Sequence, residues 1–321
     1  MSFDQLKLSI HRLLHWEYWP MHVIYASIYF LWIWYIIRFR HFHFFRFANP
    51  AIRNGGLYGV SKKDIYNLLP EALYPTTVLV KKNEVVNWAD LLNNNNLHLP
   101  VIAKPDYGYR GTMVKKVASV AELEQYANEV QQDFLVQELI HYPNEIGLFY
   151  VRMPNEKRGK ITGITLKNML TITGDGQQTM AQLLAQNPRY AMQMGALKRQ
   201  YDLQKVLAAG ESLCLVPYGN HNRGTEFWDG SHLITPGLED VFDQILSQIK
   251  GFYYGRLDIR YRSFEELEKG QHFSIIELNG VMGEPTHIYD PKHSFWYAQK
   301  EIIKHHRYLG KIVQQQIKAG S

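Results

Sequence analysis

Apolar residues recur with helical spacing at the start of the chain and then give way to an uninterrupted apolar run. The helical spacing joins five positions, Phe3, Leu6, Ile10, Leu13 and Leu14. It predicts a short amphipathic helix. The run over residues 19–37 has no Asp, Glu, Lys or Arg and approaches the ~20 residues that cross a hydrocarbon layer. Residues 1–47 are therefore predicted to be an amphipathic helix followed by a membrane anchor.

Aromatic and basic residues flank this apolar run. The tryptophans and tyrosines near its ends are typical interfacial anchors. Four arginines follow it with no acid between them, Arg38, Arg40, Arg46 and Arg53. The positive-inside bias then predicts a cell inner membrane protein with its catalytic domain facing the cytoplasm. Two alternatives stay open: Pro20 and His22 shorten the clean run and favour a helix that enters one leaflet, and a buried aromatic helix of a soluble protein gives the same pattern.

Beyond residue 59 short apolar segments alternate with helical ones. Strands are predicted at 99–103, 134–136, 146–151, 161–166, 213–216, 255–259 and 273–277. Helices are predicted at 121–130 and 238–250. This order of elements is typical of an α+β enzyme.

Composition narrows the class of protein. The 321 residues are 46% hydrophobic and 20% charged, which excludes a disordered chain and allows a large core. The net charge of +5 is small and the basic residues are scattered, so no nucleic-acid partner is expected. The single cysteine, Cys214, excludes an intramolecular disulfide and a cysteine-based zinc site.

A lysine comes directly after the predicted strand at 99–103, and glycines follow it. Lys104 precedes Pro105, and Gly108 and Gly111 lie a few residues further on. An ammonium group beside small residues suits a polyphosphate, because glycine lets backbone N–H groups approach the phosphate oxygens. Taken alone, an exposed lysine before a turn has the same pattern.

Two glutamates follow the predicted strand at 134–136. Glu138 comes after Gln137, and Glu145 lies seven residues later. Carboxylates accept hydrogen bonds from neutral donors, so this spacing suits an adenine amino group and ribose hydroxyls. Two solvated glutamates at the edge of a sheet are the alternative.

The most specific pattern lies in the last two predicted strands. Period-two alternation places Arg256 and Asp258 on one face of the first strand, and Glu277 and Asn279 on one face of the second. If these strands pair, three oxygen donors and a guanidinium meet. Carboxylate and amide oxygens suit Mg²⁺, and a guanidinium can stabilise charge that develops during group transfer.

In chain order these residues resemble the ATP-grasp superfamily, in particular the D-alanine:D-alanine ligases. The resemblance covers residues from about 59 to 300 and includes Lys62, which follows Ser61 at the head of a helix. It implies an ATP-grasp fold, in which two α+β subdomains clasp ATP, over residues 48–321. The smaller subdomain would lie at about 98–140. The implied reaction activates a carboxylate as an acyl phosphate and joins it to an amine, with release of ADP and phosphate.

The resemblance also implies a role for each matched residue. Its ATP contacts fall on Lys62 and Lys104 at the phosphates, on Glu138 and Ile140 at the adenine with Gln137 beside them, and on Glu145 at the ribose. Two magnesium ions would be bound by Asp258, Glu277 and Asn279. Arg256 would steady the acyl phosphate and the tetrahedral intermediate.

Two further segments resemble the family more loosely. Lys167 and the glycine-containing residues 173–179 resemble amino-acid-polymerising ligases such as cyanophycin synthetase, which implies that Lys167 touches the γ-phosphate or the carboxylate substrate. Residues 219–224 resemble a loop near the phosphates, in which Arg223 would clamp a carboxylate or a phosphate. For both segments, a glycine turn beside solvated charges is the alternative.

The resemblance does not extend to the substrate. The apolar run stands where the D-alanine:D-alanine ligases have an N-terminal α/β domain, and the residues after Asn279 differ from the family pattern. We therefore expect small-molecule or lipid-linked carboxylate and amine substrates, with membrane lipid as a partner. Two other classes stay open: a membrane-anchored nucleotide-binding regulator with an ATP-grasp fold, and an ATP-grasp kinase that phosphorylates a hydroxyl.

Overall fold

The computed structural model describes residues 3–108, 111–216, 219 and 221–320. Its strands are β1 (Thr77–Val80), β2 (Val101–Pro105), β3 (Lys115–Val117), β4 (Phe134–Glu138), β5 (Asn144–Val151), β6 (Lys160–Asn168), β7 (Leu170–Thr173), β8 (Ser212–Val216), β9 (Glu226–Asp229), β10 (Tyr254–Tyr261) and β11 (Phe273–Asn279). Its helices are α1 (Phe3–Leu14), α2 (Met21–Ile24), α3 (Ala26–Phe39), α4 (Lys62–Tyr66), α5 (Trp88–Asn94), α6 (Val120–Glu129), α7 (Met180–Ala185), α8 (Pro188–Ala191), α9 (Met194–Leu197), α10 (Pro236–Leu246), α11 (Phe264–Glu268) and α12 (Phe295–Lys318).

The strands form two larger antiparallel sheets and a two-stranded pair. The four-stranded sheet has the order β1-β4-β2-β3, the five-stranded sheet has the order β11-β10-β5-β6-β9, and β7 pairs with β8. The α+β class is confirmed, and each of the seven predicted strands is present within a few residues. The four-stranded sheet also includes β1, which precedes the segment 98–140.

Each larger sheet has its own hydrophobic core. Buried side chains of β2 and β4 pack against α6 through Leu123 and Tyr126. The five-stranded sheet is covered by α10, which buries Leu238, Phe242 and Leu246 at helical spacing. This helix begins at Pro236 because the Thr235 side chain accepts a hydrogen bond from a free N–H of its first turn. The two cores hold the sheets as separate rigid platforms for the polar residues between them.

The predicted membrane anchor in residues 1–47 is the main point that the structure does not support. The apolar run divides into α2 and α3 at Tyr25, and α3 has 14 residues, so it is about 21 Å long. Among the residues that the structure describes, no helix is long and apolar enough to cross a membrane. The chain before the run is tied to the protein by a buried ion pair, in which Glu17 lies 2.6 Å from Arg189.

The C-terminal helix α12 packs against the apolar run and covers one side of it. Tyr35 of α3 donates a hydrogen bond of 2.9 Å to the carbonyl of His306, and Gln299 donates one of 2.7 Å to the carbonyl of Ile24. Gly310 allows this close approach, since a Cβ there would overlap the Tyr35 ring. One face of α3 is therefore a packed protein surface, as in the alternative of a buried aromatic helix.

The segment after α3 packs on the five-stranded sheet and is not a linker. Asn49 is completely buried, and its side-chain oxygen accepts hydrogen bonds from the backbone N–H groups of Tyr253 and Tyr254. Gly55 and Gly56 pack against Gly280 at the end of β11, where any side chain would collide with backbone. The turn at Asn54-Gly55-Gly56 thus fixes the end of the strand that carries Glu277 and Asn279.

Candidate active site

The candidate site is built on the pairing of β10 with β11. Arg256 lies opposite Asn279, and Asp258 lies opposite Glu277. The alternation predicted from the sequence therefore brings all four residues together, on strands that are neighbours in the five-stranded sheet. Their side chains form two adjacent cross-strand pairs of the kind that interact directly in antiparallel sheets.

A β-bulge at Ile276 connects this sheet with the four-stranded one. The register shifts so that Asp258 pairs with Glu277 while Ile259 pairs with Ile275, which leaves Ile276 as the extra residue. Its carbonyl accepts a hydrogen bond from the Tyr66 hydroxyl. Lys104, at the end of β2, donates a hydrogen bond of 2.8 Å to that same hydroxyl. Lys104 is thereby held against the strand that carries Glu277.

Asp258 holds two cations at the centre of the site. Arg256 donates hydrogen bonds of 3.0 Å to both of its carboxylate oxygens, and Nζ of Lys167 lies 3.1 Å from its Oδ1. Burial acts to raise the pKa of Asp258, but the positive charges of Arg256 and Lys167 outweigh it and hold this pKa below its usual value. Asp258 is therefore a carboxylate, and its bidentate pairing fixes the guanidinium plane of Arg256.

Glu145 forms a second buried cluster beside Asp258. Its Oε1 accepts a hydrogen bond of 2.7 Å from Lys167, and Nε of Arg260 lies 3.0 Å from its Oε2, an ion pair without hydrogen-bond alignment. Gly219 lies against Lys167 and Glu145 with no room for a Cβ. These contacts give Glu145 an ion-pairing role, so that its contact with a ribose stays a prediction.

The glycine-containing segment after Lys104 is held by Lys62. Nζ of Lys62 donates hydrogen bonds of 3.0 to 3.2 Å to the carbonyls of Pro105, Asp106 and Gly108. Across the site, Arg223 donates one of 3.3 Å to the carbonyl of Gly111. The two predicted loops therefore meet, although residues 109–110 of the first and 220 of the second lie outside the described residues.

The residues assigned to the adenine lie at the connection between the two larger sheets. Gln137 is buried and donates a hydrogen bond of 2.7 Å to the Thr77 hydroxyl, so its side chain supports the β1–β4 pair. Glu138 is exposed, and its Oε2 accepts a bond of 3.2 Å from the N–H of Thr76. Ile140 follows in the segment that leads to β5 and is half-buried. Their contact with a base remains a prediction.

Lys62 and Lys104 are two ammonium groups within the electrostatic influence of Glu277. Burial lowers the pKa of Lys104 to about 8, although Glu277 and Asp106 oppose the shift. Burial also lowers the pKa of Lys62, and the charge of Lys104 contributes to this lowering. Within the described part of the chain neither ammonium forms an ion pair with a carboxylate. Two partly desolvated ammonium groups, one of which lowers the pKa of the other, form a place where an anion binds favourably.

The donor set fits a magnesium ion in its chemistry. Asp258, Glu277 and Asn279 supply carboxylate and amide oxygens, and the amide nitrogen of Asn279 is buried without a hydrogen-bond partner. In the part of the chain that the structure describes, no three His, Cys, Asp or Glu side chains gather as a metal site. The protein therefore offers two carboxylates and one amide, and phosphate oxygens and water would complete the coordination as is usual for Mg²⁺.

Two residues of the site, Arg260 and Tyr66, were not predicted from the sequence. For each of them the sequence contains a pattern that indicates its position. Arg260 continues the alternation of Arg256 and Asp258 along β10, so it belongs to the same strand face. Tyr66 follows Lys62 by four residues on α4, where the two side chains share one face of the helix. Neither signal identifies the partner, because Glu145 and Ile276 come from other parts of the chain.

Comparison with known proteins gives a likeness in structure only. No family model and no curated protein matches the chain. A bifunctional glutathione synthetase from Pasteurella multocida is 14% identical with a TM-score of 0.39, over 76% of this chain and 36% of that one. The D-alanine–D-alanine ligase from Bacillus anthracis is 14% identical with a TM-score of 0.42, over 78% of this chain and 68% of that one.

A third similar structure is the VanG D-Ala:D-Ser ligase from Enterococcus faecalis. It is 12% identical with a TM-score of 0.44, over 80% of this chain and 60% of that one. The chain thus spans about a third of the glutathione synthetase and roughly two thirds of the other two. These TM-scores are too low to assign the chain to a family, so its function has to be inferred from the site.

Proposed function

We propose that the protein is an ATP-dependent carboxylate–amine ligase that works through an acyl phosphate. The observation that carries the proposal is the convergence of Lys62 and Lys104, two ammonium groups with lowered pKa, beside Glu277 and the fixed Arg256. The ammonium groups come from α4 and β2, and the guanidinium comes from β10. The site therefore has a cationic part for a polyphosphate and a separate cation for a second anionic group.

The proposed roles follow from these positions. Lys62 and Lys104 hold the phosphates, and Asp258, Glu277 and Asn279 hold magnesium. When bound, the magnesium supplies positive charge to the phosphate oxygens. Arg256 orients the carboxylate, because its guanidinium is fixed by Asp258 and leaves one nitrogen, Nη1, facing the carbonyl of Glu284 at 3.4 Å. The two loops that meet through Gly111 and Arg223 are proposed to cover the phosphates.

The chemistry has two balanced steps. In the first, a carboxylate oxygen attacks the γ-phosphorus of ATP, and the bond to ADP breaks. In the second, an amine attacks the carbonyl carbon of the acyl phosphate, inorganic phosphate leaves, and the amine loses a proton. Negative charge grows on the carbonyl oxygen in this second step. Arg256 is placed to stabilise that oxygen, as preorganised donors do in acyl transfer.

The reaction class is tested by its products. The purified full chain is incubated with ATP, magnesium and panels of carboxylates and amines with a membrane lipid extract, and condensed products are identified by mass spectrometry. ADP and phosphate together with an amide support the proposal. AMP and pyrophosphate contradict an acyl phosphate, and a phosphorylated hydroxyl without ligation identifies a kinase. Lys104→Met is the matched control, because it removes one proposed phosphate contact and should lower all product formation together.

Membrane location is part of the same proposal. It is supported by apolar side chains of the N-terminal region that stay exposed, including Leu13, Leu14 and Phe30. Contiguous exposed apolar surface is typical of membrane or protein interaction sites. The proposed location is a membrane surface with the site open to the side where ATP is present, the cytoplasmic one, and the proposed substrates are small or lipid-linked.

A further inference from the structure

The outer face of α3 is apolar although the opposite face already packs on the protein. Its inner residues Ile28 and Tyr35 are buried. Five large side chains are exposed on the other side: Tyr29, Phe30, Ile33, Trp34 and Ile37. Phe30 is 77% exposed and Ile37 is 71% exposed, so their rings and methyl groups are almost fully in solvent. A helix that is apolar all round needs a second apolar neighbour.

The outer face of α12 carries positive charge. Its outward cations Lys300, Lys304, Arg307 and Lys311 recur three or four residues apart, and Lys318 follows seven residues later. The single acid of this helix, Glu301, pairs with Lys304 at 2.9 Å and offsets that one charge. Residues with this spacing lie in one stripe along a helix. The stripe therefore has at least four elementary charges that no acid of its own helix face offsets.

The apolar face and the basic stripe share an edge. A cleft of about 370 Å³ lies between α3 and α12, and both helices line it. Arg38 enters from α3, and Arg307 and Lys311 enter from α12. The guanidinium carbon of Arg38 lies 5.0 Å from the centre of the Trp34 ring. Three cations therefore line a cleft that also contains the aromatic side chains of Trp34, Tyr35 and Phe39.

We propose that α3 and α12 form one membrane-binding surface for anionic phospholipid, in which the helices lie along the membrane and do not cross it. The exposed side chains of α3 enter the acyl chains, and the cations of the cleft bind lipid phosphates. An apolar helix face beside basic residues is the usual composition of such surfaces. This inference deepens the membrane location of the proposed function and does not depend on ligase activity.

The charges favour a lipid surface over a second copy of the chain. Neither α3 nor the outward face of α12 offers an acid, so a symmetric dimer through this surface would bring arginines and lysines of both copies together without compensation. An anionic membrane satisfies both the basic stripe and the apolar face, because its phosphates neutralise the stripe and its acyl chains cover the apolar face.

The test measures vesicle binding by the purified full chain without ATP or substrates, so that failure of the ligase proposal does not affect it. Sedimentation is compared for vesicles of phosphatidylcholine alone and of phosphatidylcholine mixed with phosphatidylglycerol. We expect binding to the mixed vesicles to be tighter on the order of 10-fold or more, and to weaken as salt is raised. Equal binding to both kinds of vesicle, or none to either, would overturn the proposal.

Matched variants locate the binding surface. Replacing Lys300, Arg307 and Lys311 by glutamine should weaken binding on the order of 100-fold, whereas replacing the exposed Lys82, Lys205 and Lys269 by glutamine removes the same charge elsewhere and should change it little. The double change of Phe30 and Ile37 to serine should also weaken binding. All these side chains are exposed, so thermal unfolding should stay unchanged. An equal loss in both triple variants would show that only net charge matters, and a dimer that the first triple variant disrupts would assign the face to a second copy.

Discussion

The ion-paired cluster on the five-stranded sheet and the contact between α3 and α12 both bury side chains, but they use opposite chemistry. In the first, Lys167, Glu145 and Asp258 are nearly inaccessible and hold one another by ion pairs of 2.7 and 3.1 Å. In the second, Tyr35 and its aromatic neighbours pack against α12 through buried apolar side chains. A buried charge that loses its partner is costly, whereas an apolar contact loses free energy in proportion to area.

The difference predicts where substitutions act. In the polar cluster each side chain has a specific partner, so a change that keeps size and removes charge should give a large and selective effect. In the helix contact the free energy is spread over many aromatic side chains, so single changes should be smaller and should affect stability rather than turnover. The four predictions below test this contrast, starting in the polar cluster.

The largest effect is expected from Glu277→Gln. Among described residues Glu277 forms no ion pair or hydrogen bond through its carboxylate, and its charge acts on the fold only at a distance, through Lys62, Lys104 and Arg256. The proposed magnesium site needs this charge directly. ATP turnover should fall on the order of 1,000-fold, with an unchanged midpoint of thermal unfolding. The measurements are ADP release over a range of magnesium concentrations and calorimetry of the free protein.

Asp258→Asn is the matched comparison for Glu277→Gln. It should also abolish turnover, but it removes the shared partner of Arg256 and Lys167 and should therefore lower the free energy of unfolding by about 3 kcal/mol. If both variants kept their stability, the ion-pair cluster would contribute nothing to the fold. Wild-type turnover in either variant at saturating magnesium would remove it from the proposed metal site.

The second prediction concerns Arg256→Ala. This change removes the guanidinium proposed to stabilise the oxygen on which charge develops, and the lysines proposed to hold the phosphates remain. Turnover should fall by about 10² to 10³, equivalent to about 3 to 4 kcal/mol, while ATP affinity, measured by calorimetric titration, stays within a few-fold of wild type. Arg262→Ala is the control, because Arg262 is exposed and pairs only with Glu266 on α11. A large loss of ATP affinity in Arg256→Ala would place this residue at the nucleotide instead.

The polar cluster was largely predictable from the sequence. Strand alternation is a local property, so the faces of Arg256, Asp258, Glu277 and Asn279 followed from their spacing, and the observed register confirmed them. The bulge at Ile276 was not predictable, since it depends on Tyr66 and Lys104 from distant elements. The ion pair between Lys167 and Glu145 was missed for the same reason.

The membrane anchor was predicted in the N-terminal region because hydrophobicity alone does not distinguish a helix covered by lipid from one covered by protein. The apolar run had the composition of a membrane segment, yet its inner face is covered by α12, a helix of 24 residues that the sequence analysis did not predict. Its apolar positions are interrupted by buried His305, His306 and Gln316, which weaken the helical pattern. Tertiary contacts with α12, such as that of Tyr35 with Gly310, show where the run lies.

The third prediction tests that pairing through Gly310→Ala. Alanine favours a helix over glycine by about 1 kcal/mol, but its Cβ would overlap the buried ring of Tyr35. Overpacking of this kind costs about 1 to 3 kcal/mol, so we expect a net loss of about 1 kcal/mol in urea unfolding. In a Tyr35→Ala background the overlap is gone, and Gly310→Ala should stabilise the protein. The same sign in both backgrounds would contradict the close contact of α3 with α12.

The smallest effect is expected from pH, through a histidine in the same contact. Burial lowers the pKa of His306 from 6.5 to about 4, and a hydrogen bond of its ring with the carbonyl of Ile302 only partly opposes this shift. Above pH 6.5 the ring is neutral in the folded and the unfolded chain and contributes no pH dependence. As the pH falls from 6.5 towards 4, the unfolded chain takes up a proton that the folded protein does not. Stability should therefore fall, by at most about 1.4 kcal/mol per pH unit for this group.

His306→Gln isolates this contribution, because glutamine is polar and does not titrate. His305, which is buried and whose pKa is lowered to about 3, and Glu301 remain in both proteins, so their pH dependence cancels in the difference. Urea unfolding of wild type and variant at about pH 7.5 and about pH 5.5 should show the wild type losing about 1 kcal/mol more than the variant over this interval. Parallel losses would mean that His306 takes up its proton in the folded protein, which requires water to reach the contact between α3 and α12. The packing of the apolar region would then be looser than that of the ion-paired cluster.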